Sequence, residues 1–151
     1  MVRWFRSSGR SWSLLAGVVS LVTLSACGSA PLRPSEEVAF TVTDQRVGTG
    51  AEATVGKILT VNYTGWLYDA SKSDKKGAQF DTSTGRGPFT FQLGVGSVIR
   101  GWDQGLVGMR VGGLRQLMVP SSMAYGTVGG GGGVIPPNAS LVFDIELLGV
   151  Q

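Results

Sequence analysis

The chain has 151 residues, a length typical of one domain, and it contains no histidine and one cysteine. This composition excludes Ser-His-Asp and Cys-His catalysis and argues against a zinc site. The net charge of +3 comes from three arginines before residue 11, because the other ten basic residues balance the ten acidic ones. The charge therefore gives no reason to expect a nucleic-acid partner.

Residues 1–26 have the pattern of a secretory signal peptide. A basic start, residues 1–10, precedes an apolar run of about 13 residues, whereas a membrane-spanning helix needs about 20. Small residues then lead to Cys27, which has no second cysteine to pair with. Because the apolar run is too short to span a membrane, a transmembrane anchor is the weaker interpretation.

The setting of Cys27 resembles the bacterial lipobox, in which the cysteine is acylated and becomes the mature N-terminus. The resemblance implies an exported protein held at the extracytoplasmic face of a bacterial cell membrane. It implies several acyl chains, palmitate among them, since one chain alone binds weakly. The alternative is a stray cysteine in a signal peptide that is cleaved elsewhere.

Residues 27–37 are small, polar and marked by prolines, which is typical of a flexible tether. The folded domain is predicted over residues 38–151, which is enough chain for one hydrophobic core. It has no heptad pattern and no obvious apolar dimer surface, so we expect a monomer.

Apolar and polar residues alternate along much of the domain, which predicts β-strands with one buried face. The alternation is clear over residues 59–67 and 141–147, and shorter strands are predicted at 89–93 and 115–119. Short connections favour antiparallel pairing of such strands. Residues 68–77 are polar and rich in lysine, and they are predicted to form a solvated loop.

One segment follows a helical pattern instead. Ile99, Trp102 and Leu106 are three and four residues apart and therefore share one helix face. Ser97 is the predicted N-cap. Two glycines inside the segment weaken a helix by about 1 kcal/mol each relative to alanine, so the helix needs tertiary support. A single helix against a sheet is an α+β arrangement.

Five consecutive glycines, residues 129–133, precede a valine, an isoleucine and two prolines. Glycine has no side chain to pack and carries high backbone entropy, whereas proline stiffens the chain. We predict a mobile flap whose far end is held. The run follows no strand and lacks the lysine of a phosphate-binding loop, which argues against nucleotide binding.

The remaining chemistry is a set of aromatic residues with few polar groups, and no pattern indicates a cofactor. Scattered carboxylates also argue against glycosidase chemistry. Such a set fills a core as readily as it lines a pocket for an apolar ligand, so composition leaves both interpretations open. The set comprises Tyr63, Phe80, Asp81, Phe89, Phe91, Trp102, Tyr125 and Phe143.

Seven short strings decide between these interpretations. They are VNYTG at 61–65, FDTS at 80–83, PFTF at 88–91, VIRGW at 98–102, AYG at 124–126, IPPNA at 135–139 and LVFDIELL at 141–148. In this order they resemble the FK506-binding protein (FKBP) type of peptidyl-prolyl cis-trans isomerases. Each string alone is weakly specific, but together they are highly specific and cover nearly the whole domain.

The resemblance implies an α+β fold in which an antiparallel sheet of five or six strands curls, as a half-barrel, around one short helix. It implies an isomerase that rotates X-Pro bonds in exported or membrane-associated polypeptides, in a pocket between helix and sheet. Carried over by position, the catalytic residues are Tyr63, Asp81, Trp102, Tyr125 and Phe143, and the substrate-binding residues are Phe80, Phe89, Val98, Ile99 and Ile135. Trp102 is the implied floor, and the Ile99 N–H and the Tyr125 hydroxyl are the implied donors to substrate carbonyls.

Some alternatives stay open. Asp81 could cap a turn or pair with Arg86 rather than serve at the pocket rim, and Tyr125 could be a buried tyrosine with a satisfied hydroxyl. The flap lacks the histidine of well-known family members and is about one residue longer, which puts turnover and substrate preference in question. The functional alternatives are a proline-directed binding module or chaperone with little turnover, and binding of FK506 or rapamycin in the same pocket.

Overall fold

The computed structural model describes residues 38–151. The predicted signal peptide, tether and acylated Cys27 lie outside these residues. The elements are β1 (Thr41–Arg46), β2 (Ile58–Tyr68), β3 (Lys76–Thr82), β4 (Phe89–Gln92), α1 (Arg100–Gly105), β5 (Leu114–Val119) and β6 (Leu141–Val150), with 3₁₀ turns at Ser121–Met123 and Gly131–Gly133. Within this part of the chain, no helix is long and apolar enough to span a membrane.

All six strands of the described domain form one antiparallel sheet in the order β1-β5-β6-β2-β3, and β4 also pairs with β2. β6 pairs along nearly all of β2. On the other edge of β2, β4 pairs with its first residues and β3 with its last. The end strands β1 and β3 do not pair with each other, so the sheet curls without closing. The expected α+β fold is confirmed, with the larger of the two expected strand numbers.

The four strands that the alternation predicts are present as β2, β4, β5 and β6. β1 and β3 have no counterpart in the predicted strands, and β3 begins at Lys76, inside the predicted loop at 68–77. The two missed strands lie at the ends of the sheet, where β1 is largely exposed and β3 is exposed or only partly buried along its length. A strand without a fully buried face shows no clear period-two alternation in its sequence.

The core lies between the concave face of the sheet and α1. Alternate residues of β2, β5 and β6 point toward the helix, as the period-two pattern predicts. Trp102 and Leu106 of the helical segment are buried against them, and Ile99 packs on the same cluster. The strand residues of this cluster are Leu59, Val61, Phe91, Leu117, Val119, Leu141, Phe143, Ile145 and Leu147.

The start of the helix differs from the prediction. Helical backbone begins at Arg100, and Ile99 is the N-cap, with extended backbone and no side-chain capping bond. Ser97 was the wrong choice of cap, because it lies two residues too early and its hydroxyl donates to the Gln92 carbonyl at 2.8 Å. Asp103 secures this loop instead, since its carboxylate accepts the N–H groups of Gly94 and Gly96, both at 2.8 Å.

The two glycines of α1 allow the helix to lie directly on β5. A methyl group on Gly101 would lie 2.5 Å from Cγ1 of Val119, and one on Gly105 would lie 2.8 Å from Cδ2 of Leu117. Both distances are far shorter than a carbon–carbon contact of about 3.5–4.0 Å. The same glycines that weaken the isolated helix therefore create the close packing that supports it.

A buried arginine on β5 completes this support. Arg115 donates from one terminal nitrogen to the carbonyls of Gly105 and Val107, at 2.8 Å and 3.1 Å. Its other two nitrogens bind both oxygens of Asp44 on β1 at 2.6 Å and 3.0 Å. A cation at a helix C-terminus satisfies carbonyls that have no partner within the helix.

Candidate active site

A cavity of about 310 Å³ opens between α1 and the sheet. This volume is at the lower end of the range that suits small ligands, about 300–1,000 Å³. Nine of the ten predicted catalytic and substrate-binding residues line it, and Ile135 does not. The lining consists of Tyr63, Phe80, Asp81, Phe89, Ser97, Val98, Ile99, Trp102, Tyr125 and Phe143.

Trp102 forms the floor of this cavity and is 4% exposed. Its ring centroid lies 5.2 Å from that of Tyr63 and 5.4 Å from that of Phe143, both in edge-to-face geometry. Phe91 packs behind it at 5.5 Å. Aromatic pairs of this kind contribute about 0.5–1.5 kcal/mol beyond area burial, so the indole is held rigidly.

The Trp102 Nε1 is buried and has no hydrogen-bond partner among the described residues. An unpaired buried donor costs about 1–3 kcal/mol, which an aliphatic or phenylalanine core residue would avoid. An indole here is therefore better explained by the flat apolar surface that it offers a ligand than by core filling.

Gly65 of β2 makes room for two walls of the pocket. A methyl group at Gly65 would lie 2.7 Å from Cζ of Phe80 and 2.9 Å from Cε1 of Phe143. The two rings meet edge to face with centroids 5.7 Å apart. Phe89 forms the opposite wall and is 40% exposed at the mouth of the pocket. The glycine in the string VNYTG thus contributes to the site by leaving room for two wall residues, although it does not itself line the cavity.

The polar rim is built around Asp81. The Tyr63 hydroxyl donates to one carboxylate oxygen at 2.6 Å. The other oxygen accepts the Thr82 N–H at 2.9 Å and also pairs with the Arg86 guanidinium. Asp81 therefore pairs with Arg86 and lines the pocket at once, so these two sequence alternatives are compatible with each other, and no turn of the described domain is capped by its carboxylate.

These contacts decide the charge state of the rim. Burial raises the pKa of Tyr63 to about 12, and the hydrogen bond to the Asp81 carboxylate adds to the effect. Burial also opposes ionisation of Asp81, but the bonds from Tyr63 and Arg86 outweigh it and lower the pKa of Asp81 below its usual value. At neutral pH the rim thus carries an ionised carboxylate and a protonated phenol.

Two donors at the cavity have no acceptor among the described residues. The Ile99 N–H lies at the helix N-cap, where backbone donors lack partners within the helix. The Tyr125 side chain lines the cavity, and Tyr125 as a residue is 41% exposed. Burial raises the pKa of Tyr125, with a further contribution from the negative charge of Asp81, so its hydroxyl stays protonated. Both groups are free to donate to a ligand carbonyl.

Ile135 belongs to the glycine-rich flap, which is residues 126–138, but its side chain is buried in the core and is 4% exposed. It exchanges two backbone hydrogen bonds with Gly130, at 3.0 Å and 3.1 Å. A third bond joins the Asn138 N–H to the Gly126 carbonyl at 2.8 Å. Both arms of the predicted flap are therefore tied together, and Ile135 anchors the flap rather than lining the pocket.

A larger groove of about 470 Å³ lies on the opposite face of β2. Its lining is mainly hydroxyl, amide and carboxylate groups, with glycines of the turn after β3 and Leu114. Asn62 and Thr64 border it, since alternate residues of a strand face opposite sides. It is more open to solvent than the smaller cavity and has no aromatic cluster in its lining, so the aromatic cavity is the better candidate for a ligand site.

Sequence reasoning missed two contributors to the site. Ser97 lines the cavity although it was assigned to helix capping. Gly65 is needed because the two rings packed on it leave no space for a side chain. Only the position of Ser97 next to the string VIRGW could have pointed to it, and nothing local to Gly65 reveals the two rings, which come from β3 and β6.

Comparison with known sequences agrees with this geometry. Residues 49–148 match the family described as FKBP-type peptidyl-prolyl cis-trans isomerase. The chain is 51% identical over 110 residues to an FK506-binding protein of Neisseria meningitidis serogroup B, covering 72% of this chain and 94% of that protein. It is 49% identical over 104 residues to FK506-binding protein 1B of Neurospora crassa, covering 69% and 91% of the two chains.

Solved structures are similar in the same region. The crystal structure of AtFKBP13 superposes with a TM-score of 0.63 at 40% identity, covering 74% of this chain and 93% of that one. FkpA from Escherichia coli gives a TM-score of 0.63 at 38% identity, covering 74% of this chain and 48% of its own. By sequence and by fold, the chain belongs to the FKBP-type peptidyl-prolyl cis-trans isomerase family.

Proposed function

We propose that this protein catalyses cis–trans isomerisation of X-Pro bonds in exported or membrane-associated polypeptides. The observation that carries the proposal is the pocket floored by Trp102, with aromatic walls and two free donors at its edge. A flat indole suits the face of a pyrrolidine ring. The Ile99 N–H and the Tyr125 hydroxyl then bind substrate carbonyls and align the chain.

The chemistry requires no nucleophile. The planar amide has partial double-bond character, and its rotation barrier is about 18–20 kcal/mol. X-Pro bonds populate both isomers, so both serve as substrate. The twisted transition state loses amide resonance, and its carbonyl is less polar than that of the planar amide. A dry aromatic pocket disfavours the planar, polar form more than the twisted one, which is differential binding of the transition state.

Asp81 adds to this difference. As an ionised carboxylate at the rim, it repels the partly negative oxygen of the planar amide more than the less polar oxygen of the twisted one. Tyr63 and Arg86 hold the carboxylate in place through their bonds to it. In this proposal Tyr63 and Arg86 position the rim, and Tyr63 also supplies apolar wall.

The proposal is tested by a protease-coupled assay on a prolyl peptide with the Trp102→Leu variant. We expect kcat/KM to fall by about tenfold or more, equivalent to about 1.4 kcal/mol, because leucine cannot replace the flat floor. Trp66→Leu is the matched control, since Trp66 lies on β2 outside the pocket lining and stacks under Lys76. FK506 should inhibit the parent protein.

Two results would contradict the proposal. The first is a parent protein with no rate above background at micromolar concentration. The second is a Trp102→Leu variant that keeps the parental rate. A biological function that survives an inactive Trp102→Leu variant would instead support a binding or chaperone role.

We further propose that Cys27 is acylated and holds the domain at a bacterial cell membrane through residues 27–37. The small residues before Cys27 and the polar, proline-marked composition after it support this proposal. Uncatalysed proline isomerisation takes tens of seconds and can therefore limit the folding of exported chains. An anchor would keep the catalyst at the membrane surface, where those chains fold.

A further inference from the structure

The flap touches the active site at Gly130. A methyl group on this α-carbon would lie 2.6 Å from Cδ1 of Tyr125 and 3.0 Å from its Cγ and Cε1. Ordinary carbon–carbon contacts are about 3.5–4.0 Å. The backbone of Gly130 is extended, with φ −157° and ψ −179°, which any residue adopts. Glycine is therefore required here by the tyrosine ring and not by the backbone conformation.

Gly130 is itself fixed in place. Its N–H and carbonyl both bond to Ile135, which is buried in the core. The Tyr125 side chain, by contrast, has no hydrogen bond and no ring–ring contact with another described residue. The firmly held partner in this contact is thus the glycine, and the half-exposed tyrosine ring rests on it.

We propose that Gly130 is a positioning residue that holds the Tyr125 ring against the pocket. Its bare α-carbon lets the ring lie close, so that the hydroxyl stays at the rim as a donor. A side chain at this position would push the ring outward, because the contacted atoms are at the base and edge of the ring rather than at a flexible end. The inference rests on the proposed function for the role of that hydroxyl.

The test is a double-mutant cycle in the full chain, with Gly130→Ala, Tyr125→Phe and the double variant. kcat/KM on the prolyl peptide and Kd for FK506 are measured for each. We expect Gly130→Ala to lower kcat/KM and to raise the Kd for FK506 by roughly threefold to tenfold each, which is the effect of one lost hydrogen bond. The double variant should have the same kcat/KM and the same Kd as Tyr125→Phe, because both changes remove the same donor.

Gly132→Ala is the control. Gly132 has φ +67° and nothing within 4 Å of the added methyl group, so this change strains the same loop without touching the ring. It should keep the parental kcat/KM within about twofold, since the strain of one left-handed residue stays in the loop. A ligand-free measurement completes the set: an NOE between the Gly130 α-protons and the Tyr125 ring, present in the parent and in Gly132→Ala.

Independent losses that multiply in the double variant would overturn the inference, as would a Gly130→Ala variant with parental activity or a parent without the NOE. If Gly130→Ala fails to fold, adding Tyr125→Ala to the same chain should restore folding, because the ring that clashes with the methyl group is removed. Failure of that rescue would also overturn the inference. An inactive parent that shows the NOE would refute the proposed function while supporting this placement of the ring.

Discussion

Tyr63 combines two roles within one side chain. Its ring packs edge to face on Trp102, and its hydroxyl donates to Asp81. The apolar wall and the charged rim of the pocket are therefore joined through a single residue. This arrangement keeps the carboxylate ionised next to an aromatic cavity, where burial alone would favour its neutral form.

This pair predicts how stability depends on pH. The pKa of Asp81 is lowered by folding, so its contribution is complete above the unfolded value of about 4 and is lost as pH falls through the lower folded value. The pKa of Tyr63 is raised to about 12, so its contribution is complete below about 10 and is lost as pH rises through about 12. Between these limits the pair contributes nothing to the change of unfolding free energy with pH.

The prediction is checked by urea unfolding of the parent and of Asp81→Asn at a series of pH values. The parent should be more stable by a constant amount from about pH 5 to pH 9, and the difference should shrink below about pH 4. Asp74→Asn, in the loop before β3, measures the general effect of removing one negative charge. A stability difference that varies between pH 5 and pH 9 would contradict the proposed ionisation of Asp81.

At the scale of elements, the helix and β5 depend on each other. A helix of six residues is not stable in water by itself. It is held because its glycines permit close contact with Val119 and Leu117, and because Arg115 binds the carbonyls at its end. Trp102 is therefore positioned as the pocket floor by packing and not by helix propensity.

Gly101→Ala distinguishes propensity from packing. Propensity alone predicts stabilisation by about 1 kcal/mol, because alanine favours helix. The structure predicts a net loss of about 1–2 kcal/mol, since a methyl group 2.5 Å from Val119 over-packs the core. Urea unfolding measures the change.

The control for this change is Gly149→Ala on β6, where the nearest atom is 3.8 Å from the added methyl group. This variant should unfold at nearly the parental urea concentration. A Gly101→Ala protein that is more stable than the parent would show that the helix can shift away from β5, contrary to the packing described.

At the scale of the whole molecule, the family match begins at residue 49 and the described structure at residue 38. The pocket, its rim and the flap all lie in the described domain. The proposed membrane attachment, in contrast, depends on Cys27 and the residues around it. Catalysis and location are therefore assigned to separate parts of the chain and can be tested separately.

Cys27→Ala should move the protein from the membrane fraction to the soluble exported fraction, because no thiol remains for acylation. Fractionation and immunoblotting of the producing cells measure the change. The isomerase activity of the released protein should match the parent, since the pocket is distant in sequence. Ser25→Ala, which keeps a small residue before the cysteine, should stay with the membrane, and membrane retention of Cys27→Ala would contradict the lipobox interpretation.

The strands with a buried face could be predicted because period-two alternation is a local property of the sequence. The edge strands β1 and β3 could not, because β1 is largely exposed and β3 is exposed or only partly buried, so neither shows a clear alternation. Ser97 was misassigned for a related reason. The helix start depends on the backbone of Ile99, which packs on the core, and not on the nearest residue with capping propensity.

The sequence by itself determined the family, the aromatic composition of the pocket and the place of Trp102 on a buried helix face, since these follow from residue type, order and spacing. Only the tertiary structure decided that Asp81 bonds to both Tyr63 and Arg86, that Ile135 anchors the flap, and that Gly101 and Gly130 must lack side chains. The physical reason is distance. Each of these features depends on atoms that come within a few ångströms only when separate strands, loops and the helix pack together.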